Sequence, residues 1–402
     1  MLTLVSVPGI PLHKANFLLQ VSFLLSEWKQ LPHHFSRLRY KPYLWIPLLI
    51  VTISALLAAL TSPYTGIAET IKFELLFKYF ALAYAFWAVK DEKSLKPILQ
   101  VSLYCLIVLT FFGVLNYIDK NAMFVNALTE GRTSLVQEDV SLGDVYTDSD
   151  RFRVQSMFKS PFDYGYICVA ILILHLHGRH RHLESKRAFI IALVCCSFGI
   201  LMCGCRIVWM SAIISIACYS MWSFKLGRNV TLGIFAMILM IISYNTIPAV
   251  EEKVNSATDV FVEDSETVGS SIALRMSQYA YVLMYIEGHE WLGLGKGYWA
   301  HSYAEDPYSV AGLFGVESVI LSYLLERGIV GLALWAIFYT IIFLYFWRNR
   351  KKIRDLTGLG TAILFLYLIF SIGTGELGSV YPTMLLLGIV VKSVESTKIK
   401  NE

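Results

Sequence analysis

Charged residues are scarce in this sequence. They form 16% of its 402 residues, whereas a soluble domain carries about 25%. Hydrophobic residues reach 56%, and apolar runs long enough to cross a bilayer core of roughly 30 Å recur along the chain. Because backbone groups inside lipid must be satisfied within the chain, such runs are helical. The composition therefore excludes a soluble enzyme and predicts an all-α integral membrane protein.

Ten apolar runs predict membrane-spanning helices, and a weaker run precedes them. The ten lie near 43–61, 71–89, 97–117, 162–177, 187–203, 206–222, 230–247, 329–346, 357–373 and 378–392, and the weaker one near 10–26. We predict a single polytopic membrane domain over 1–402, a bundle of about 11–12 transmembrane helices. Two larger loops, 118–161 and 248–316, interrupt it, and loops of that length are usually functional or disordered.

Basic residues are rare in every second connection between the predicted helices. Of the 34 Lys and Arg residues, 21 lie in the connections 27–42, 90–97, 178–187, 223–229 and 347–356 and in the tail from 392. Cytoplasmic loops of membrane proteins carry this excess of positive charge. The pattern therefore predicts that the tail is cytoplasmic and that the loops 118–161 and 248–316 face the opposite side.

The sequence lacks metal and redox motifs, a cleavable signal peptide, internal repeats and a soluble domain. Its seven cysteines lie within or at the ends of predicted spans, and none forms the CxxC spacing of a zinc or redox site. The start shows no basic segment followed by a clean apolar core, so we expect no signal peptide. His175, His177, His180 and His182 lie in a basic turn, where we expect them to be solvated. We predict no metal and no cofactor.

Arg206 is the most informative single position. It follows Cys-Gly-Cys and opens the apolar stretch IVWMSAIISIACYS. An arginine at a membrane boundary either extends its charge to the headgroups or binds phosphate oxygens with its planar fork of donors. Arg153 and Arg275, each in one of the two larger loops, are candidate companions in such an anion site. Around Arg275, apolar residues at helical spacing predict an amphipathic helix.

Glu317 stands where the second loop re-enters apolar sequence. It is either a helix-terminal acid favoured by the helix dipole or a general base at membrane level. Further on, Glu326 and Arg327 precede Gly328, which predicts a break between a half-helix and a full span. We expect a salt bridge or a helix cap for that pair.

The stretch GLGKGYW has the glycine spacing of a phosphate loop without the strand and helix that such a loop requires, so we predict a tight turn. His289 and His301 flank it, and we expect both at the surface. Tyr298 and Trp299 at its end are candidates for stacking on sugar rings.

Four stretches in this order resemble the bacterial O-antigen polymerase and ligase superfamily (Wzy and WaaL). They are RFRVQSMFKSPFDYGYICVA, CGCRIVWMSAII, RMSQYAYVLMYIEGHEWLGLGKGYW and LSYLLERGIVGL, and together they cover about 150–335. The resemblance implies a bundle of roughly a dozen helices in the bacterial inner membrane, with the active site on the periplasmic face. It also implies transfer of a glycan from an undecaprenyl-diphosphate carrier to a hydroxyl group.

The resemblance assigns the candidate residues to roles. Arg153, Arg206 and Arg275 would bind the diphosphate leaving group, whose charge grows as the glycosidic bond breaks, so that no metal is needed. Ligases of the superfamily have a His-Asn pair where this sequence has Glu317 and Ser318. Glu317 is therefore the expected base, with His301 as the alternative, and the missing histidine favours the polymerase branch.

Several functions remain open from sequence alone. The favoured one is a metal-independent glycosyltransferase that polymerises undecaprenyl-diphosphate-linked oligosaccharide in the bilayer, with a chain-length regulator and a flippase as partner proteins and no nucleic acid. The rivals are an O-antigen ligase that uses lipid A core or another acceptor, a transporter or flippase, and a non-enzymatic assembly partner. Transporters tend to carry charges at mid-membrane and to show related halves. The predicted spans contain no acid at mid-depth apart from Glu74, which lies near a span end, and the charged candidates gather at the outer boundary instead.

Overall fold

The computed structural model describes residues 41–118, 153–158, 160–223, 272–306, 318–375 and 378–401, with 22, 25, 26, 29 and 313. Most of these residues are helical, and no β-strand occurs among them. The helices are α1 Pro42–Thr61, α2 Ile67–Ile71, a π-helix Lys72–Tyr79, α3 Phe80–Ala88, α4 Leu95–Ile118, α5 Pro161–His180, α6 Lys186–Met202, α7 Arg206–Ser223, α8 Ile272–Tyr285, α9 Tyr298–Glu305, α10 Val319–Asn349, α11 Arg354–Gly373 and α12 Val380–Asn401.

The prediction of an all-α membrane protein is confirmed. Four helical segments of the described chain are long and apolar enough to cross a membrane: Pro42–Thr61, Glu92–Ile118, Val319–Asn349 and Arg354–Gly373. The other predicted spans that fall on described residues coincide with helices to within a few residues. The exception is α12, which extends beyond the predicted end of its span. The predicted spans 230–247 and, for the most part, 10–26 fall outside the described residues.

Helix α11 forms the centre of the described bundle. It packs against α5, α7, α10 and α12, and its side chains are buried on nearly every face. A helix that is apolar all round belongs in such an interior. Gly360 allows the ring of Phe346 to approach, because a Cβ there would overlap that ring. The surrounding helices therefore hold α11 in place, and the neighbouring connections pack against its two ends.

Helix α10 is broken at Gly328, as the sequence predicts. Gly328 has φ 62° and ψ −165°, outside the helical region. The backbone amides of Ile329 and Val330 donate instead to the carbonyls of Glu290 and Trp291, at 2.8 and 3.1 Å. The break is therefore built jointly by α10 and the turn 290–297, which we call the glycine-rich turn. Its carbonyls satisfy the amides that the interrupted helix leaves free.

Helix α8 forms where the apolar spacing predicts a helix, but a different face is buried. Gln278, Val282 and Ile286 are at most 2% exposed, and the two apolar residues pack with Leu321 and Leu325 of the first half of α10. The apolar residues at helical spacing around Arg275, from which this helix was predicted, include Met276, Tyr279 and Leu283. These three side chains are exposed.

The expectation of a solvated histidine turn is wrong for two of its four residues. Helix α5 continues to His180, so His175 and His177 lie inside it and are fully buried. His175 Nδ1 is 2.6 Å from Glu184 Oε2, and its Nε2 is 3.2 Å from Ser102 Oγ. These contacts join α4, α5 and the α5–α6 turn.

Replacing Gly328 by alanine should destabilise the protein. A side chain at its positive φ costs about 1–2 kcal/mol, and a Cβ there would lie 2.5 Å from the backbone of Trp291. Gly66→Ala is the matched control, since φ is −69° at Gly66 and nothing lies within 4 Å of its Cβ position. Thermal unfolding in detergent, followed by size-exclusion, should show a lower midpoint for Gly328→Ala only; equal midpoints would contradict the described break.

Candidate functional site

The turn Cys203–Arg206 joins α6 to α7 and carries the arginine singled out from sequence. Gly204 adopts φ 61°, a left-handed conformation that glycine adopts without strain. Cys203 and Cys205 are buried, and Arg206 is half-buried at the first position of α7. The turn thus fixes the backbone of Arg206 at the end of the bundle.

Arg153 lies across this turn. Its Cγ would be 3.3 Å from a Cβ placed on Gly204, and the adjacent Val154 amide donates to the Met202 carbonyl at 2.9 Å. The guanidinium carbon is 5.9 Å from the centre of the Phe162 ring at the start of α5. The structure therefore brings the backbones of Arg153 and Arg206, which are distant in sequence, to one end of the bundle.

Two further segments contact the carboxyl end of α11, one beginning at Ile207 and one at Ser318. A Cβ on Gly373 would lie 2.8 Å from the Ile207 side chain. The amide of Val319 donates to the Thr374 carbonyl at 3.0 Å, and Ser318 Oγ donates to the Ser371 carbonyl at 3.4 Å. The residues that follow Arg206 and Glu317 in sequence thus contact the same helix end.

Glu317 and the side chain of Arg275 lie outside what the structure describes. The backbone of Arg275 belongs to α8, which packs against the first half of α10. We call the turn Cys203–Arg206, Arg153 and the end of α11 the arginine site.

His301, Tyr298 and Trp299 lie elsewhere, near the end of α1. His301 is exposed, and its Nε2 is 3.1 Å from Glu305 Oε1. The rings of His301 and Tyr298 lie 4.8 and 5.8 Å from the ring of Tyr64. Trp299 stacks on Tyr303 at 5.4 Å. Sequence predicted these residues as parts of one catalytic site with the arginines. Their described contacts are with the α1–α2 connection, with one another and, for Tyr298 and Trp299, with the apolar cluster to which α8 and the first half of α10 contribute.

A buried cluster of charges lies beside this second region. Its members are two carboxylates and three cations, which we call the charge cluster: Glu74, Glu326, Lys78, Lys296 and Arg327. Glu74 Oε2 is 2.8 Å from Arg327 Nη2, and Glu74 Oε1 is 3.0 Å from Lys78 Nζ and 3.7 Å from Lys296 Nζ. The cluster connects the π-helix, the glycine-rich turn and the break in α10.

Glu326 holds the glycine-rich turn. Its two oxygens accept from Lys296 Nζ at 2.8 Å and from the Gly297 amide at 3.0 Å. Arg327 also donates to Ser54 Oγ at 3.3 Å and lies 4.3 Å over the ring of Tyr323. Glu326 and Arg327 thus form salt bridges, one of the two roles predicted for them, with partners distant in sequence.

The sequence analysis missed the charge cluster as a unit, although one signal was present. Glu74 and Lys78 are four residues apart inside an apolar span, and an ionisable residue in a span is functional or paired by default. The π-helix that carries them is a rare conformation, frequent at functional sites. The distant partners Lys296 and Arg327 could not be identified without the fold.

The described helices and these two polar regions define a polytopic membrane protein with sites built where helices end or break. Residues 191–336 match the family model described as O-antigen ligase. The match covers part of the chain and supports the resemblance of its four motifs to the O-antigen polymerase and ligase superfamily, a family of bacterial membrane proteins with a glycan-transfer function. The match does not distinguish polymerase from ligase. No curated protein matches the chain significantly.

Replacing Glu74 by glutamine should destabilise the protein strongly. Removing one member of a buried ion pair costs about 3–5 kcal/mol, because the other charge stays buried without compensation, and Glu74 is 1% exposed. Glu69→Gln is the matched control, since Glu69 is exposed on the neighbouring α2. The thermal midpoint in detergent should fall for Glu74→Gln and stay constant for Glu69→Gln. An unchanged midpoint for Glu74→Gln would disprove the pairing.

Proposed function

We propose that the protein is a polysaccharide polymerase. It transfers a growing glycan from undecaprenyl diphosphate to a sugar hydroxyl of another lipid-linked repeat unit, on the periplasmic face of the inner membrane. The observation that supports this proposal most strongly is the arginine site, where Arg153 lies across the turn that carries Arg206, and Ile207, the residue after Arg206, contacts the end of α11. The segment that follows Glu317 reaches the same helix end.

Arginine suits the donor's leaving group for physical reasons. Its guanidinium stays charged at every relevant pH and offers paired donors to phosphate oxygens. The charge on the bridging oxygen grows as the glycosidic bond breaks, so a fixed cation stabilises the transition state more than the ground state. Arg153 and Arg206 are assigned this role, with Arg275 as the third arginine. The same charges allow the reaction to proceed without a metal.

Each transfer breaks one bond and forms one. The bond between the donor's anomeric carbon and the diphosphate oxygen breaks, and its electron pair leaves with undecaprenyl diphosphate. An acceptor hydroxyl oxygen forms the new bond to that carbon, and its proton passes to a base. Glu317 is assigned as the base, because Ser318 next to it is tied to the end of α11. His301, exposed and paired with Glu305, is the second candidate.

An O-antigen ligase is the second candidate function, because the matching family model carries that description. The two functions differ in the acceptor: a polymerase uses a lipid-linked repeat unit, and a ligase uses lipid A core or another molecule. A transporter without covalent chemistry gains one argument, since Glu74, Lys78 and Arg327 are charges next to apolar spans. The arginine site favours transfer over transport, because it lies at helix ends where an exported headgroup is accessible.

Substituting the arginine site should stop polymerisation. Purified protein in nanodiscs, supplied with undecaprenyl-diphosphate-linked repeat unit from its own host, should yield a product ladder on a gel. Arg206→Ala and Arg153→Ala should each lower the initial rate by about 100- to 1000-fold, the usual loss on removal of one charge-stabilising donor. Glu317→Gln should abolish the ladder, because an amide accepts no proton at neutral pH.

Arg187→Ala is the matched control, since Arg187 is exposed at the other end of α6; it should leave the ladder unchanged. A ladder that survives Glu317→Gln would remove Glu317 as the base and direct the search to His301. A ladder that survives both arginine substitutions would contradict the donor site. Transfer of a single glycan, seen only with lipid A core, would assign the protein to the ligases.

A further inference from the structure

We propose that Lys78, Lys296 and Arg327 form a second anion subsite, which binds the diphosphate of the acceptor lipid. The proposal rests on the proposed polymerase function, because a polymerase binds two lipid diphosphates at once whereas the arginine site accounts for one. The three cations belong to the charge cluster beside the glycine-rich turn.

The positive side of the charge cluster faces outward. The side chains of Lys78 and Lys296 are 24% and 26% exposed, whereas the carboxylate of Glu74 behind them is 1% exposed. Arg327 lies deeper still, at 4%. A ligand that approaches the cluster therefore meets ammonium groups first, and the carboxylates serve to hold these cations in place.

The cations of the cluster converge on one carboxylate. Lys78, Lys296 and Arg327 all lie within 4 Å of the carboxylate of Glu74, and Glu326 pairs with Lys296. Like charges held this close repel one another in a medium of low dielectric constant, so a bound anion would relieve the repulsion.

Lys296 keeps its charge in this environment. Burial opposes the ammonium form, but the carboxylates of Glu326 and Glu74 outweigh burial and raise the pKa of Lys296 above its ordinary value. The group is therefore a permanent cation at physiological pH, as a phosphate ligand must be.

The surroundings fit a sugar diphosphate on a lipid. The carbonyl of Lys296 accepts from Ser62 Oγ at 2.5 Å, which places the lysine next to the aromatic group of Tyr64, Tyr298 and His301. Such rings stack on sugars. On α1 just before this group, Leu49, Ile53, Leu56 and Leu60 are exposed, and an isoprenoid tail entering from the bilayer has an apolar surface to lie on.

Two separate subsites suit the chemistry of chain growth. The reacting hydroxyl of the acceptor is on its terminal sugar, whereas its diphosphate is a whole repeat unit away. The two diphosphates therefore cannot share one site. The arginine site is built on α5, α6, α7 and α11. The charge cluster is built on the π-helix, the glycine-rich turn and α10. Two sites on different elements suit two diphosphates that lie a repeat unit apart.

Binding of farnesyl diphosphate tests the proposal without the need for activity. Wild-type protein in phosphatidylcholine nanodiscs should bind two molecules per chain, and Lys296→Ala should bind one, with the affinity at the lost site at least about tenfold weaker. Lys296→Arg should restore the second molecule, since it restores the charge. Lys78→Ala is the second variant, and Lys351→Ala, at an exposed lysine in the α10–α11 connection, is the control.

In the transfer reaction, Lys296→Ala should raise the KM for a repeat unit on farnesyl diphosphate and leave the KM for the same repeat unit on a neutral octyl chain unchanged. Equal effects on both acceptors would show a structural role and overturn the proposal. The proposal would also be overturned if the wild type bound only one farnesyl diphosphate and Arg206→Ala lost that molecule. A phospholipid headgroup is the other possible occupant of the subsite, and nanodiscs with phosphatidylglycerol test it. If this lipid displaces the second farnesyl diphosphate, the subsite is a phospholipid site and the acceptor role is wrong.

The two proposals fail separately. Two bound molecules without any product ladder would keep the second subsite and remove the polymerase. A ladder whose rate and acceptor KM do not respond to Lys296→Ala or Lys78→Ala would keep the polymerase and remove the subsite.

Discussion

The ion pair between Glu74 and Arg327 connects parts of this bundle that are distant in sequence. Glu74 lies on the π-helix, Arg327 lies at the break of α10, and Lys296 joins them from the glycine-rich turn. Charges buried in an apolar bundle are tolerated only with partners, so these three segments must be positioned together. The first half of α10, which leads back to Glu317, therefore depends on a contact made at its other end.

The arginine site shows a second way to position charge at a membrane boundary. Its backbone is set by a glycine in a left-handed turn and by the end of α11. Small residues at Gly204 and Gly373 let Arg153 and Ile207 approach closely. The two regions hold their cations differently. The arginine site has cations near a helix end, and the charge cluster has cations paired with carboxylates.

Hydropathy predicted the described spans because lipid leaves the backbone few alternatives to a helix. The break at Gly328 was predictable, since glycine between two apolar stretches interrupts a helix. The pairing of Glu74 with Arg327 was not, because nothing local in the sequence specifies contacts across hundreds of residues. The buried face of α8 was missed for a related reason: exposed Met276 and Leu283 follow the same spacing as core residues.

We expect this chain to transfer glycan from a lipid diphosphate without another protein. The amount of undecaprenyl diphosphate released by the purified protein should be compared with the number of new glycosidic linkages in the product. One carrier should be released for every linkage formed, and chain length should increase over time with no other protein present. Linkages without release of the carrier, or movement of intact lipid-linked glycan without any new linkage, would disprove the proposed transfer.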